Sequence, residues 1–401
     1  MVGIGLEEAI VLLLENVKAS RATETIPLLE AVGRVIAVDI SAPIDNPPFD
    51  RSPLDGYTFI AKSSEAATKE EPIKFEIVGE VCAGQVFSEK VEPKQAVRIM
   101  TGAPLPFPCD CVVRQEDVNA DEHHVWIPTP MKAYENYCFK GEDFKQGTPL
   151  ISAGSSLTAA HIATLASIGE KNVIVYKKIK VAICSTGDEL MDVGEQLAEG
   201  KIYNSNLYMI AARLKELGIE PIVLGMAPDQ PEAVAKLLRQ QIDKVDLFLT
   251  TGGVSVGKKD IMHEVIEELP AKRLFWRVNM KPGTPILSYV YQDKLCIGLS
   301  GNPFAALATF ELLVRPVLAK LSYNRQMMYK RVKAVLQNDF LKKSLGRRFI
   351  RAVYADGKVY LEAENHSSGS LFSAVGCNAL IDIAPGTPEL TRGAQVEVIK
   401  L

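Results

Sequence analysis

The chain has 401 residues, with 45 Lys and Arg against 49 Asp and Glu, a formal net charge of -4 at pH 7 and 47% hydrophobic residues. At roughly 150 residues per domain this is material for two to four cores that need no metal or disulfide for stability, and the near-balanced charge announces no basic patch, which argues against a nucleic-acid partner. The seven cysteines are scattered and odd in number, as expected of reduced thiols in a cytosolic chain, and the run Ile10–Leu14 is too short for a signal or a membrane span.

Residues 6 to about 18 read as a short amphipathic helix, and the stretch 28–40 turns through Gly33 into a strand. The segment 41–59, "SAPIDNPPFDRSPLDGYTF", carries four prolines and three aspartates. Its fixed backbone angles exclude a helix or a central strand and predict an ordered, turn-rich piece. From about 72 to 146 short strands follow, at 73–78, 96–100, 111–114 and 124–127, as in a small β domain. In that domain Cys109-Asp-Cys111 has no partner pair at zinc spacing. A helix over 157–168, capped by Ser156 or Thr158 and stopped by Gly169, precedes a change of texture.

Between 178 and about 322 strands alternate with helices. Strands are expected at 181–184, 220–224, 247–250 and 295–299, and helices at 205–217, 231–241, 261–269 and 303–318. Continuous apolar strands separated by helices imply a parallel sheet covered on both faces. After Tyr323 strands alone recur, at 330–336, 348–353, 358–362, 379–383 and 394–399, predicting a β sandwich or barrel.

Three strands of the αβ region run into similar text: "AICSTGDEL" (182–190), "LFLTTGGVSVGKKD" (247–260) and "CIGLSGNPFAA" (296–306). Ligands of open parallel sheets bind beyond the carboxyl ends of the strands, where glycines allow close approach and helix N-termini offer free amides. A P-loop would need Ser or Thr after Gly257-Lys258, and Lys259 stands there, so the Walker reading fails. The alternative assigns an anion to Gly252, Gly253 and Ser255. Glu189 and Asp260 then have two readings, as turn or N-cap carboxylates, or as hard oxygen ligands for magnesium beside a phosphate. The five histidines form no recognisable acid–base or metal cluster.

An ordered set of passages resembles the molybdopterin molybdenumtransferases, the MoeA family that includes the gephyrin E domain: "SPLDGY" (52–57), "RIMTGAPLP" (98–106), "VVRQED" (112–117), "KGEDF" (140–144), "STGDEL" (185–190), "TTGGVSVGKKD" (250–260), "MKPGTP" (280–285) and "SGNP" (300–303). The resemblance spans essentially the whole chain. It implies insertion of molybdate into adenylylated molybdopterin with release of AMP, dependence on Mg2+, and a homodimer whose cleft joins the αβ domain of one subunit to other domains of its partner. A molybdopterin adenylyltransferase is implied as an upstream partner. The implied α/β architecture has a central doubly wound, mostly parallel MogA-like αβ domain over 171–325, with the N-terminal helix 1–22 beside it. A small segmented domain takes 23–46 and 147–170, an inserted β domain 47–146, and a C-terminal β barrel 326–401.

Carried over by motif, functional weight falls on Asp55, Thr101, Asp143, Glu189, Asp260 and Lys281, with Glu189 and Asp260 as metal ligands. Cofactor-binding weight falls on Gly252, Gly253, Ser255, Asp229, Arg277, Ser300, Gly301, Asn302, Ser370 and Ser373. Each has a plainer alternative: a turn aspartate for Asp55, the N-cap of the following helix for Asp229, a helix-start proline motif for 300–303, and surface solvation for Lys281, Arg277, Ser370 and Ser373. The chain departs from the family pattern at Arg51, where asparagine is common, at Cys138-Phe139, where arginines are frequent, and at Ser300, where proline is usual. Two rival functions remain: the adenylyl transfer that precedes metal insertion, and a peptide-binding scaffold like that of the gephyrin E domain.

Overall fold

In the computed structural model residues 1–254, 261–361 and 366–401 are described. A seven-stranded sheet forms the centre. Its order is Val2–Ile4, Lys272–Val278, Leu287–Tyr291, Lys294–Leu299, Leu247–Thr251, Val181–Thr186, Pro221–Ala227. The last four strands are mutually parallel, whereas Leu287–Tyr291 runs antiparallel to both neighbours. The hairpin strands at 272–278 and 287–291 were not predicted, because their mixed Lys, Arg and Tyr content breaks the apolar signal used for the parallel strands.

The continuous apolar strands are buried on both faces because two cores sandwich them. Val181, Ile183, Leu247 and Leu249 join one cluster with helix Ser205–Glu216. Ala182, Cys184 and Phe248 turn to the other, with helices Pro231–Gln241 and Met262–Glu268. The two-residue period of a strand produces this split. Helix Leu6–Asn16 buries Leu6, Ala9 and Leu13, at i, i+3 and i+7, in the first cluster. Helix Ser205–Glu216 ends as expected at Gly218, whose φ of +77° lets Ile219 N–H reach Leu214 O at 2.9 Å.

The helix expected over 303–318 is continuous in the chain but changes winding: α over Pro303–Thr309, π over Phe310–Val314, α again over Arg315–Leu321. Pro316 explains the change, since it lacks an N–H and its ring crowds the carbonyl four residues back. Buried Glu311 sits in the π turn between Arg213 (2.5 Å) and Arg315 (2.9 Å), which neutralise it.

The other parts are smaller. Thr23–Pro27 pairs with Asn172–Tyr176, and Ile40–Ser41 with Pro149–Ile151, around helix Ala159–Ser167. Thr158 is that helix's N-cap, in a reciprocal box with His161. The inserted β domain is a six-stranded sheet in which Gly56–Phe59 lies between Cys111–Arg114 and Gln95–Ile99. Among the described residues, strands Lys330–Leu336, Arg347–Ala355, Lys358–Tyr360, Ala379–Ile383 and Gln395–Lys400 close on themselves through the pairing of Arg347–Ala355 with Ala379–Ile383. A C-terminal barrel without free edges results.

Candidate functional site

Three glycine loops meet where the parallel strands end. Thr186, Thr251 and Leu299 are adjacent strand ends, tied by Ser185 Oγ to Thr251 Oγ1 (2.7 Å) and by Gly252 N–H to Leu299 O (3.0 Å). The approach is so close that a Cβ on Gly252 would stand 2.2 Å from Thr186 O, and one on Gly301 would lie 3.8 Å from Gly252 Cα. Asn206, in the first turn of helix Ser205–Glu216, holds Gly301 O at 2.7 Å. The Thr186 hydroxyl is buried at this junction without a hydrogen-bond partner among the described residues.

Acidic groups flank the loops. The exposed carboxylate of Glu189 folds back over Gly187, 2.9 Å from the place a Cβ would take. Asp188 and Asp229 bind each other's backbone amides, at 3.2 and 3.3 Å. Helix Pro231–Gln241 is capped at Gln230, so Asp229 is not its N-cap. These are hard oxygen donors of the kind magnesium takes. Among the described residues no group of three or more His, Cys, Asp and Glu gathers as a metal site. Ser255 and Asp260 lie outside the described residues.

Beside this corner a cleft of about 650 Å³ opens between the αβ domain and the barrel. Ser300 and Asn302 contribute to its lining with Lys281, Lys342, Arg348, His366, Ser367 and Ser368, and among the described residues no carboxylate does. Lys281 is delivered by the short strand Met280–Lys281, which pairs with the barrel strand in the register Lys281↔Arg348. Asn302 Nδ2 donates to Ser368 Oγ at 3.3 Å, and Phe304 N–H to Ser368 O at 3.0 Å, closing the seam. Burial, with the positive charge of Arg351, Lys342 and Arg348, lowers His366 to a pKa of about 4. A neutral imidazole among cations fits a site that receives anions.

The remaining expected residues stand elsewhere. Asp55 Oδ1 accepts from the Thr101 hydroxyl (2.6 Å) and amide (2.7 Å), which hold its carboxyl below the usual range. Asp143 accepts from Asn46 Nδ2 at 2.9 Å in the neck of the β domain. Arg51 and Cys138, two of the departures, are cross-strand partners, with amide-to-carbonyl bonds of 2.9 and 3.1 Å. No hydrogen bond or ion pair among the described residues joins Asp55, Thr101 or Asp143 to the strand-end loops of the same chain. Arg277 does not line the cleft; its guanidinium lies 5.7 Å over Trp276. The Ser370 and Ser373 hydroxyls face one another at 3.0 Å, and it is Ser367 and Ser368 that reach the cleft.

Profiles described as "MoeA N-terminal region (domain I and II)", "Probable molybdopterin binding domain" and "MoeA C-terminal region (domain IV)" match residues 4–169, 182–320 and 333–401. A molybdopterin molybdenumtransferase of Bacillus subtilis (strain 168) is 36% identical over 94% of this chain and 89% of its own length. The chain belongs to the MoeA family. A Staphylococcus epidermidis molybdopterin molybdenumtransferase is 35% identical over 93% of this chain and 90% of its own. The crystal structure of a molybdopterin biosynthesis moeA protein from Pyrococcus horikoshii OT3 superposes with a TM-score of 0.86 at 32% identity, covering 100% of both chains.

In this MoeA-family chain the cleft contains groups that the motifs did not flag: Lys342, Arg348, His366, Ser367 and Ser368. Arg351 was also missed. It is 1% exposed, lies 4.1 Å over the Phe304 ring, and donates to the carbonyls of Ser370 (2.6 Å) and Ser367 (2.9 Å). One signal was legible: Arg351 sits inside an apolar strand, where an unpaired charge is costly and points to a built partner set.

Proposed function

We propose that this chain is a molybdopterin molybdenumtransferase that inserts molybdate into adenylylated molybdopterin and releases AMP. The observation that carries the reading is the cleft whose lining includes Lys281, Lys342 and Arg348, adjoining three amide-rich glycine turns. Preorganised cations and amides of this kind stabilise oxyanions far better than water does. Lys281 and Arg348 would neutralise molybdate or phosphate, while the Gly252–Gly253 turn and the Asn302–Pro303 helix start offer amides.

A divalent ion would be held beside the glycine turns by Glu189, which folds over Gly187, with Asp229 close to the neighbouring Asp188; Asp260, its second expected ligand, lies outside the described residues. When bound, Mg2+ supplies charge neutralisation at the phosphoanhydride. Asp55, Thr101 and Asp143 would enter through a homodimer, since within one chain they stand apart from the strand-end loops. A molybdopterin adenylyltransferase would supply the adenylylated substrate, in the cytoplasm; no described helix is long and apolar enough to cross a membrane. The domain limits given above find support in the separate apolar clusters of the small and inserted β parts, whereas the barrel shares Phe349, Leu380 and Ile399 with the αβ core.

The test is AMP release from purified molybdopterin adenylate, with molybdate, tungstate or neither, and with or without Mg2+. Release that needs both oxyanion and Mg2+, and is lost in Asp260→Ala, is the expected result. Adenylate formation from ATP and molybdopterin without molybdate would instead make the chain an adenylyltransferase.

A further inference from the structure

Three parts of the chain share one ion network at the seam of barrel and αβ domain. Arg347 opens the barrel strand Arg347–Ala355. Its Nη1 donates to both oxygens of Glu7, on helix Leu6–Asn16, at 2.6 and 2.7 Å. Its Nε and Nη2 donate to Asp382 at 2.9 and 2.7 Å, and Arg331 adds a further bond to Asp382 at 2.7 Å. The Arg347 and Asp382 side chains are only 17% and 6% exposed. Burial by itself would raise the carboxyl groups of Glu7 and Asp382, yet both lie below their ordinary values because the arginine bonds outweigh it. The planar fork of Arg347 is thus committed to two carboxylates, a geometry that fixes position as well as charge.

Strand alternation gives this network its reach. Arg347, Phe349 and Arg351 share one face, and Arg348 and Ile350 the other. Phe349 packs into the αβ core and Arg351 lies over Phe304, so alternate residues fasten the strand to the αβ domain at three successive points. Ile350 packs in the barrel core, and Arg348 lines the cleft. Arg347 is the fastening at the strand's first residue, where the pairing Met280↔Arg347 and Lys281↔Arg348 is made. The Glu7 side chain is 68% exposed, but its helix is held in place by the packed Leu6, Ala9 and Leu13. Neither Glu7 nor Arg347 lines the cleft.

We propose that Arg347, anchored on Glu7, is a positioning residue for the reaction: it sets the separation between the cationic wall of Lys281 and Arg348 and the opposite wall of Ser300 and Asn302, and so sets the affinity of the cleft for a divalent oxyanion. The inference rests on the cleft being the site of the substrate's anionic groups. Removing the Glu7 bonds frees the cleft end of the strand while Phe349 and Arg351 still hold its remainder.

The experiment titrates inorganic molybdate calorimetrically into the full-length wild type, Glu7→Gln, Arg347→Met, the double variant and Lys281→Met, and measures KM for molybdate and kcat by AMP release. Glu7→Gln is expected to weaken molybdate about 3-fold and Arg347→Met about 10-fold. The double variant should be no weaker than Arg347→Met, since both changes remove one interaction. KM should rise with kcat changed less than about 2-fold, and calorimetric stoichiometry should stay at the wild-type value; a merely structural lesion would lower stoichiometry and kcat together. Unchanged affinity in Glu7→Gln and Arg347→Met, with binding weakened about 10-fold or more in Lys281→Met, overturns the positioning role alone. Full binding in Lys281→Met removes the cleft reading and the inference with it.

Discussion

Replacing Gly252 by alanine tests the closeness of the strand-end loops. Gly252 has φ +92°, and the new Cβ would stand 2.2 Å from the backbone oxygen of Thr186. Contacts of that kind essentially never fall below 3.0 Å, so the loops after Val181–Thr186 and Leu247–Thr251 must part by about 1 Å. Rotation offers no escape, because Gly252 N–H is bonded to Leu299 O at 3.0 Å. A left-handed alanine costs about 1–2 kcal/mol and forced overpacking about 1–3 kcal/mol, so a loss of about 2–5 kcal/mol is expected. For a domain of this size that lowers Tm by roughly 5–15 °C. Displacing the Gly252–Gly253 amides by about 1 Å is expected to slow AMP release on the order of 100-fold. Gly301→Ala is the control, since its Cβ meets nothing nearer than 3.8 Å. Calorimetry and a single-turnover AMP assay on both variants decide the matter. A Gly252→Ala protein that melts with the wild type and turns over within about 2-fold of it would refute the reasoning.

Other outcomes follow from the same geometry. Lys281→Met and Arg348→Met should each raise KM for the anionic substrate about 10-fold and flatten its dependence on ionic strength; an unchanged salt dependence would remove both from the anion site. Thr101→Val deletes the hydroxyl that holds Asp55 low, so NMR titration should find the Asp55 carboxyl moved up towards 3.8, and an unmoved value would deny that bond. His366, at about 4 in the folded chain against 6.5 unperturbed, binds its proton more readily unfolded, so it favours folding above about pH 6.5 and this contribution declines as pH falls towards about 4. His366→Gln should flatten that part of the stability profile, and an identical slope in both proteins would contradict the assignment. Burial pushes the Cys109 and Cys184 thiols up to about 12, so alkylation at pH 8 should spare both while the less buried Cys82, Cys138 and Cys377 are modified, as peptide mapping can check.

Much of the fold was legible because local signals agreed with the global one. Continuous apolar strands expected at 181–184 and 247–250 announced burial on both faces, and the structure buries every residue of the slightly longer Val181–Thr186 and Leu247–Thr251. Gly218 ended its helix where expected. The strands at 272–278 and 287–291 were missed, since a hairpin at one side of a sheet carries no parallel-strand pattern. The π turn was missed as well, because its cause, Pro316, acts through the carbonyl four residues back rather than by ending the helix.

For the site, the sequence by itself determined chemistry at three strand ends: glycine where backbones must approach, hydroxyls as partners, and carboxylates beside them. These are local requirements, written residue by residue. Thr101 and Asp55 were each singled out by motif but not paired, and the two bonds between them are a product of neighbouring strands. Tertiary structure alone decided that Lys281 faces Lys342, Arg348 and His366 from a barrel that begins tens of residues later. Such a cleft depends on how two cores dock, through pairs such as Arg347 with Glu7, 340 positions apart. Nothing in the local pattern of either segment encodes that meeting, because each strand satisfies its own periodicity whichever partner it finds.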